Sequence, residues 1–312
     1  MKKKTIVVVG ATASGKTSLG IKICKAFNGE VVSADSMQIY KGMNIATAKP
    51  TEEEMDSVLH HLIDFLDVTD VYSVAAYCQD AKKVIDDISA RNKLPVMVGG
   101  TGLYIDSFVS NTMFLGSEDF SRVRSELNAE LEEKGIEALF KELTLVDPPA
   151  AEKIHPNNTV RVLRALEVFR ATGKTISQQT AESHNEESDI EPLFIGIAYK
   201  NRQALYDRIN MRVDIMLENG LLQEAIDFYK SNPSDTAVKA IGYKELKPYI
   251  DGKEDLSACV ERLKQETRRY AKRQITWFKR NDKINWFYAD EESQDEIFDR
   301  ISVIINDFLK EE

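Results

Sequence analysis

The sequence predicts an α/β fold: a P-loop parallel sheet flanked by helices, with a helical insertion and a helical C-terminal region. Three observations predict it. TIVVV (5–9), a β-branched run, passes directly into GATASGKT (10–17), whose G-x-x-x-x-G-K-[ST] spacing is that of a phosphate-cradling loop. Strand-like segments then alternate with helix-like ones, and each strand ends in a polar or glycine-rich stretch. From about residue 113 to 190 the strand signals stop, and the chain reads as helices rich in Glu, Lys and Arg.

The first strand, 5–9, reads as buried because its apolar run does not alternate. The MKKK ahead of it invites comparison with a secretory leader, but the apolar stretch is too short and runs straight into the glycine loop. A helix follows from about Lys16 to Phe27. EVVSADS (30–36) is a second short strand ending in polar residues. YSVAAYCQDAKKVIDDISARN (72–92) carries apolar residues at helical spacing. LPVMVGGTGLY (94–104) is a third strand that breaks into glycines. After the insertion and the polar loop HNEESDIEP (184–192), LFIGIAY (193–199) is again a strand, so the sheet resumes. Beyond Asn201 the chain reads as helices, among them 202–219 and 256–280. This divides the chain into a core of 1–112 with 191–312 and an insertion of 113–190. Ligands of parallel sheets collect at the carboxyl ends of the strands, so the glycine loop, Asp35 and Thr101 are expected to share one crevice.

With 312 residues, 43% hydrophobic and 29% charged, the chain is ordinary for a soluble protein of two domains, or of one domain with a large insertion. No apolar run approaches the roughly 18 residues a membrane span needs. Cys24, Cys78 and Cys259 are sparse, odd in number and without zinc spacing, which suits a reducing cytoplasm. The histidines are His60, His61, His155 and His184. His60 and His61, taken as helix neighbours, do not share a face and are not expected to bind metal. The net charge of −10 argues against nucleic acid until its distribution is considered. RLKQETRRYAKRQITWFKRNDK (262–283) holds nine basic and two acidic residues, a local charge of +7. Those charges read as a phosphate-backbone footprint. Its aromatics Tyr270, Trp277 and Phe278 fit core packing better than base stacking.

The glycine loop and the helix behind it form an anion site, with Lys16 adding charge and Thr17 able to hold Mg²⁺. Such loops usually hold ATP or GTP. A nucleotide hydrolase, however, usually has an apolar strand ending in Asp, and the third strand here ends in glycines and Thr101. Asp35, after the second strand, reads as a metal partner, a general base or a solvated strand end. SADSMQIYKGMNIATAKP (33–50) mixes polar and apolar residues as a base-reading pocket would, or as a plain strand-to-loop passage would. Arg161 with Arg164, and Arg208 with Arg212, each share a helix face, to bind phosphates or to form ordinary surface ion pairs.

Taken in order, GATASGKT, SADSMQIYKGMNIATAKP, LPVMVGGTGLY, IHPNNTVRVLRALEVFRATGK, AIGYKE (240–245) and RRYAKRQITWFKR (268–280) closely resemble the bacterial tRNA dimethylallyltransferases, a P-loop isopentenylpyrophosphate transferase family. The resemblance runs from about residue 5 to 280. It implies transfer of a dimethylallyl group from dimethylallyl diphosphate to the exocyclic amine of the adenosine just 3′ of the anticodon, with release of pyrophosphate and help from Mg²⁺. The loop would then hold a prenyl diphosphate rather than a nucleoside triphosphate.

By resemblance, the diphosphate is held by Gly10, Ala11, Thr12, Ala13, Ser14, Gly15, Lys16 and Thr17, with Arg212 of RINMRVDIM joining them. Thr17 is the metal-holding residue. Asp35 is the general base, and Lys16 shares the catalytic role through the leaving group. The tRNA contacts fall on Asp35, Ser36, Met37, Gln38, Thr101, Arg124 of SRVRSEL, and Val160, Arg161, Val162, Leu163 and Arg164. The insertion is expected to clamp the anticodon stem-loop, and the target base to be flipped into a channel closed to water. A cytoplasmic monomer is expected. Two positions depart from the family: Ala11 replaces the usual proline, and Ala46 the usual glycine. The rival readings are a P-loop kinase of a small metabolite or nucleotide, a non-catalytic RNA-binding module, and a prenyltransferase of free adenine nucleotides. An all-helical prenyl synthase is disfavoured, because Asp86-Asp87 lacks the third acid of a D-D-x-x-D motif.

Overall fold

The computed structural model describes residues 2–112, 120–183 and 188–311; His184, the three residues after it and the first residues of the expected insertion lie outside them. In chain order the elements are β1 (Lys3–Gly10), α1 (Lys16–Ala26), β2 (Gly29–Ala34), α2 (Glu52–Met55), β3 (His60–His61), α3 (Val74–Ala90), β4 (Leu94–Gly99) and α4 (Gly102–Val109). Four helices follow: α5 (Ser121–Val146), α6 (Pro148–Lys153), α7 (Thr159–Thr172) and α8 (Ile176–Ser183). The chain then returns through β5 (Ile190–Ala198), α9 (Arg202–Glu218), α10 (Leu221–Lys230), a 3₁₀ turn at Ala237–Lys239, α11 (Tyr243–Ile250), α12 (Leu256–Phe278), β6 (Asn285–Tyr288) and α13 (Gln294–Lys310).

Two compact units result: Met1–Phe108 with Asp189–Glu312, and Val109–Ser188. The sequence reading had set the insertion at 113–190.

The first unit is built on a parallel sheet of order β3-β2-β4-β1-β5-β6. The β-branched run of β1 is buried on both faces, as expected of a central strand. On one face Ile6, Val8, Val31, Val96 and Val98 pack with Leu19 and Ile23 of α1 and with Ile297, Ile301 and Ile305 of α13. Gly99, the last residue of β4, pairs with Val9 on one side and Ala34 on the other. The segments that leave β1, β2 and β4 therefore start side by side at one edge.

Two strands correct the sequence reading. His60 and His61 lie on β3 rather than a helix, paired with Val31 and Val32. β6 interrupts the region read as wholly helical after Asn201, adding an edge beside β5. Glu30, buried at the start of β2, gathers His61, Arg91 and Lys93, and the hydrogen bonds from these side chains, Arg91 first, hold its carboxyl far below the usual range.

The glycines after β4 have a packing cause. A Cβ on Gly100 would sit 2.1 Å from Nε2 of Gln274, and one on Gly102 would sit 2.2 Å from Cδ1 of Trp277. Their absence lets α12 lie directly against the carboxyl end of β4. That contact brings the basic helix to the same edge as the P-loop.

The second unit is helical. Leu127, Leu139 and Leu143 of α5 pack on Val162 and Leu166 of α7. Helix α5 kinks at Gly135, whose φ of 74° is left-handed. Asp147 caps α6 through Ala150 and also accepts the amide of Ser177.

Candidate active site

The P-loop leaves β1 at Gly10 and enters α1 at Lys16. Ala13 (φ 63°) and Gly15 (φ 94°) are both left-handed, and such alternation turns successive amides into a concave nest. The amides of Lys16 and Thr17 open α1 and have no acceptor within the helix. Two loop amides are engaged internally. Thr12 donates to Oε1 of Gln274 at 2.8 Å, and Ser14 donates to the Ala11 carbonyl at 3.2 Å. The Ser14 hydroxyl is buried and without a partner among the described residues.

The nest opens into a cavity of ≈ 260 Å³ in the first unit. Five cations line it, Lys16, Arg212, Lys239, Lys244 and Arg273, against one carboxylate, Asp35. Such a pocket is built for anions. Loss of water lowers the Lys16 ammonium from 10.5 to about 8; Asp35 pulls it back up and Arg212 pushes it further down. Arg212 is also lowered, first by burial and then by Arg208, while Asp35 and Glu54 oppose that shift.

Asp35 follows the last residue of β2. Its Oδ1 accepts the amides of Met37 at 2.9 Å and Gln38 at 3.3 Å, an Asx turn that fixes the carboxylate plane. Among the described residues its Oδ2 has no hydrogen-bond partner. Thr101, just past β4, donates its amide to Ala34 O and accepts the Ser36 amide at 3.0 Å. The hydroxyl of Thr101 thus ties the turn after β2 to the end of β4. Asp35, Ser36, Met37 and Gln38 all line the cavity, as do Ser33, Ala46, Thr47, Ala48 and Pro50. The stretch 33–50 is a pocket wall, not a plain passage.

Helices α9 and α12 supply another wall. Arg212 lines the cavity, and Arg208, one turn earlier, donates Nε to the Ala13 carbonyl at 3.2 Å. The surface ion-pair reading therefore fails for this pair. Gln274, buried on α12, donates Nε2 to the Gly100 carbonyl at 3.0 Å while accepting from Thr12. One carboxamide joins the P-loop, the end of β4 and the basic helix. Tyr270 lines the cavity in hydrogen-bond contact with Thr101 and Gln274, and burial raises its hydroxyl, with Asp35 adding to the shift. Tyr270 is thus not the core residue its spacing suggested. Phe278 is buried, and Trp277 donates Nε1 to Asp106 at 2.7 Å.

The charges of α12 divide. Arg262, Lys264 and Arg269 are paired with Glu254, Asp214 and Glu266. Arg280 lies over the Trp277 ring at 4.0 Å. Lys272 near the end of α12, and Lys279 and Lys283 just beyond it, are exposed and have no acidic partner among the described residues.

The remaining expected contacts lie in the second unit. Arg124 and Arg164 both hold Glu167. Val160 is 79% exposed, Arg161 is exposed and Leu163 is half-buried. Val162 is fully buried in that unit's core, so its side chain serves packing and is corrected from a surface contact.

For Mg²⁺ the donor set is small. Among the described residues no three His, Cys, Asp or Glu side chains are grouped to hold a metal. The cavity does place the Thr17 hydroxyl and the Asp35 carboxylate beside the nest. That set fits Mg²⁺ shared with substrate phosphates, because this ion keeps several waters and needs few protein ligands. His61 holds Glu30, whereas His60 lines the cavity, with Nδ1–H donated to Val58 O and a buried Nε2 that has no hydrogen-bond partner among the described residues. Burial pushes the thiols of Cys24 and Cys78 up to about 12, so both are inert.

Gln274 escaped sequence reasoning, since a glutamine among basic residues carries no periodic or motif signal. The cavity positions of Lys239 and Lys244 had one available signal, their place beside and within AIGYKE.

The family model described as IPP transferase matches residues 38–281. A tRNA dimethylallyltransferase of Caldanaerobacter subterraneus is 47% identical over 95% of this chain and 97% of its own length. The crystal structure of the full-length tRNA isopentenylpyrophosphate transferase of Bacillus halodurans superposes with a TM-score of 0.72 at 42% identity, covering 98% of this chain and 96% of that one. A eukaryotic dimethylallyltransferase acting on tRNA superposes with a TM-score of 0.80 at 32% identity, covering 98% of this chain and 79% of that one.

Proposed function

The chain belongs to the IPP transferase family, and from that premise we propose that it transfers a dimethylallyl group from dimethylallyl diphosphate to the exocyclic amine of the adenosine immediately 3′ of the anticodon in tRNA. The observation that carries this reading is a single carboxylate, Asp35, set among five cations in one cavity beside an amide nest.

The diphosphate sits on the amides at the start of α1, with Lys16 and Arg212 against its oxygens. As the amine attacks the allylic carbon, the carbon–oxygen bond to the diphosphate breaks and pyrophosphate leaves with the bonding pair. Lys16, Arg212 and the helix N-terminus stabilise the charge that grows there. The Thr17 hydroxyl would help to hold a Mg²⁺ ion, which would supply further positive charge to the leaving group. The amine's proton passes to Oδ2 of Asp35, whose Oδ1 is already held by two amides. The adenosine reaches Asp35 flipped out of its stack, past Ser36, Met37, Gln38 and Thr101. Arg124, Val160, Arg161 and Arg164 of the second unit contact the anticodon stem-loop, and the unpaired lysines at and just beyond the end of α12 contact its phosphates. The enzyme acts as a monomer in the cytoplasm.

The test is incubation with an anticodon stem-loop, dimethylallyl diphosphate and Mg²⁺, followed by nucleoside mass analysis. The expected result is a mass gain of one five-carbon unit on the adenosine beside the anticodon. Steady phosphate transfer from ATP to a small acceptor, with no such gain, would establish the kinase reading instead. Gain on free adenine nucleotides but not on the stem-loop would overturn the choice of acceptor.

A further inference from the structure

Residues 44–49 form a hydrogen-bonded turn in the wall of the cavity, closed by bonds from Ala48 N to Ile45 O and from Lys49 N to Asn44 O. The first amides of such a turn lack partners of their own. Here the carboxylate of Glu224, on α10, takes three of them. Asn44 and Ile45 donate to Oε2 at 2.9 and 2.8 Å, and Ala46 donates to Oε1 at 2.9 Å. The Tyr243 hydroxyl completes the set, donating to Oε1 at 2.8 Å.

The opposite end of the same turn holds Gln38. Its Nε2 donates to Thr47 O at 3.1 Å and to Ala48 O at 3.2 Å. Both donors of that amide are used, and Oε1 is what Gln38 has left to offer an incoming group. Glu224 fixes one end of the turn, and the carbonyls at the other end fix Gln38. Ala46 also meets the wall contributed by the AIGYKE segment, since a Cβ on Gly242 would lie 3.0 Å from that of Ala46. Tyr243 is buried and stacked on Phe228, with ring centroids 4.2 Å apart, so its hydroxyl is rigidly aimed.

We propose that Glu224 is a positioning residue for the acceptor base: by capping the turn 44–49 from a distant helix, it sets the placement of Gln38 in the pocket. The inference rests on the functional reading above, and it adds that the acceptor side of the cavity is held separately from the diphosphate side. The P-loop cradle is fixed by Gln274, while the 44–49 turn is fixed by Glu224. A carboxylate accepting three amides and a phenol is a charge-assisted set that a carboxamide cannot reproduce, because one of its two terminal atoms is a donor.

The experiment compares the full-length wild type with Glu224→Gln and Tyr243→Phe. Amide hydrogen exchange reads Asn44, Ile45 and Ala46, and equilibrium binding reads the anticodon stem-loop and dimethylallyl diphosphate separately. In Glu224→Gln the three amides should exchange faster. Stem-loop affinity should fall about tenfold, while diphosphate affinity stays within about twofold. Tyr243→Phe should shift stem-loop affinity in the same direction by less, and it keeps the stacked ring that supports the fold. Unchanged exchange at 44–46, or faster exchange with unchanged stem-loop affinity, overturns the inference. So does a parallel loss of affinity for both substrates, which marks Glu224 as merely structural. Absence of prenyl transfer by the wild type defeats the functional reading instead, and is seen in a separate assay.

Discussion

Arg124 and Arg164 meet on one buried carboxylate. Nε of Arg124 lies 2.7 Å from Oε1 of Glu167, and Nη1 of Arg164 lies 2.6 Å from Oε2, with the Glu167 side chain only 3% exposed. Two of the three expected RNA-contacting arginines of the second unit are thus held by a residue that is not itself at the surface. Glu167→Gln keeps the shape and removes the charge. Because both arginines are half or more exposed, the expected loss is modest, about 1–2 kcal/mol of local stability. Faster amide exchange across α5 and α7 is the readout.

Asp35→Asn tests the proton acceptor. Asparagine preserves an oxygen for the amides of Met37 and Gln38 but cannot take a proton at the other position. Single-turnover prenyl transfer should fall by about 10²-fold or more, with stem-loop affinity within about threefold of wild type. An unchanged single-turnover rate would remove Asp35 from the chemistry.

Lys16 gives a pH signature. With its ammonium lowered to about 8, the free enzyme holds a charged Lys16 below that pH and a neutral one above it. Pyrophosphate affinity should therefore weaken by about tenfold per pH unit above 8, well before an ordinary lysine titrates. Calorimetry in buffers of different ionisation enthalpy should show proton uptake on binding between pH 8 and 9. Fold stability moves the other way. Between about 8 and 10.5 the unfolded chain binds more protons at this site, so the contribution of Lys16 to stability rises with pH.

Gly100→Ala should be costly although the residue is small. The new methyl would meet Nε2 of Gln274 at 2.1 Å, displacing that buried carboxamide from its bonds to Gly100 O and the Thr12 amide. Overpacking of this kind costs about 1–3 kcal/mol. The same movement breaks the Thr12–Gln274 bond, so pyrophosphate affinity should fall with stability in urea titration and binding assays.

Lys272→Gln and Lys279→Gln test the basic helix. Each residue is exposed and without an acidic partner among the described residues. If each neutralises one phosphate, each change should reduce the slope of log K against log salt for the stem-loop by about 0.7–0.9. Pyrophosphate affinity should be unaffected.

The parts of the fold legible in the sequence were those with strong local signals. TIVVV and GATASGKT specify a buried strand and its loop within a dozen residues, and β2, β4 and β5 announce themselves by composition. β3 and β6 did not, for a physical reason: two and four residues at a sheet edge are too short for any period, and pairing with β2 and β5 makes them strands. The site divides the same way. Asp35 and Thr101 stand just past strand ends, and Lys16 and Thr17 open the helix after β1, where the topology gathers them. Gln274 and Glu224 act through single side chains across long sequence separations, and no local pattern encodes a partner so far along the chain. Val162 illustrates the opposite failure: a residue inside a recognisable motif can serve the core while its neighbours Val160 and Arg161 face outward.

The bond between Thr12 and Gln274 spans most of the polypeptide. A chain emerging from the ribosome displays its phosphate cradle almost at once, yet the residue that braces it is translated near the end. Until α12 docks, the Thr12 amide lacks this acceptor, and α9 alone packs on the loop. Bracing of the cradle is thus deferred to a late stage of synthesis, and order in the anion nest arrives together with the basic helix.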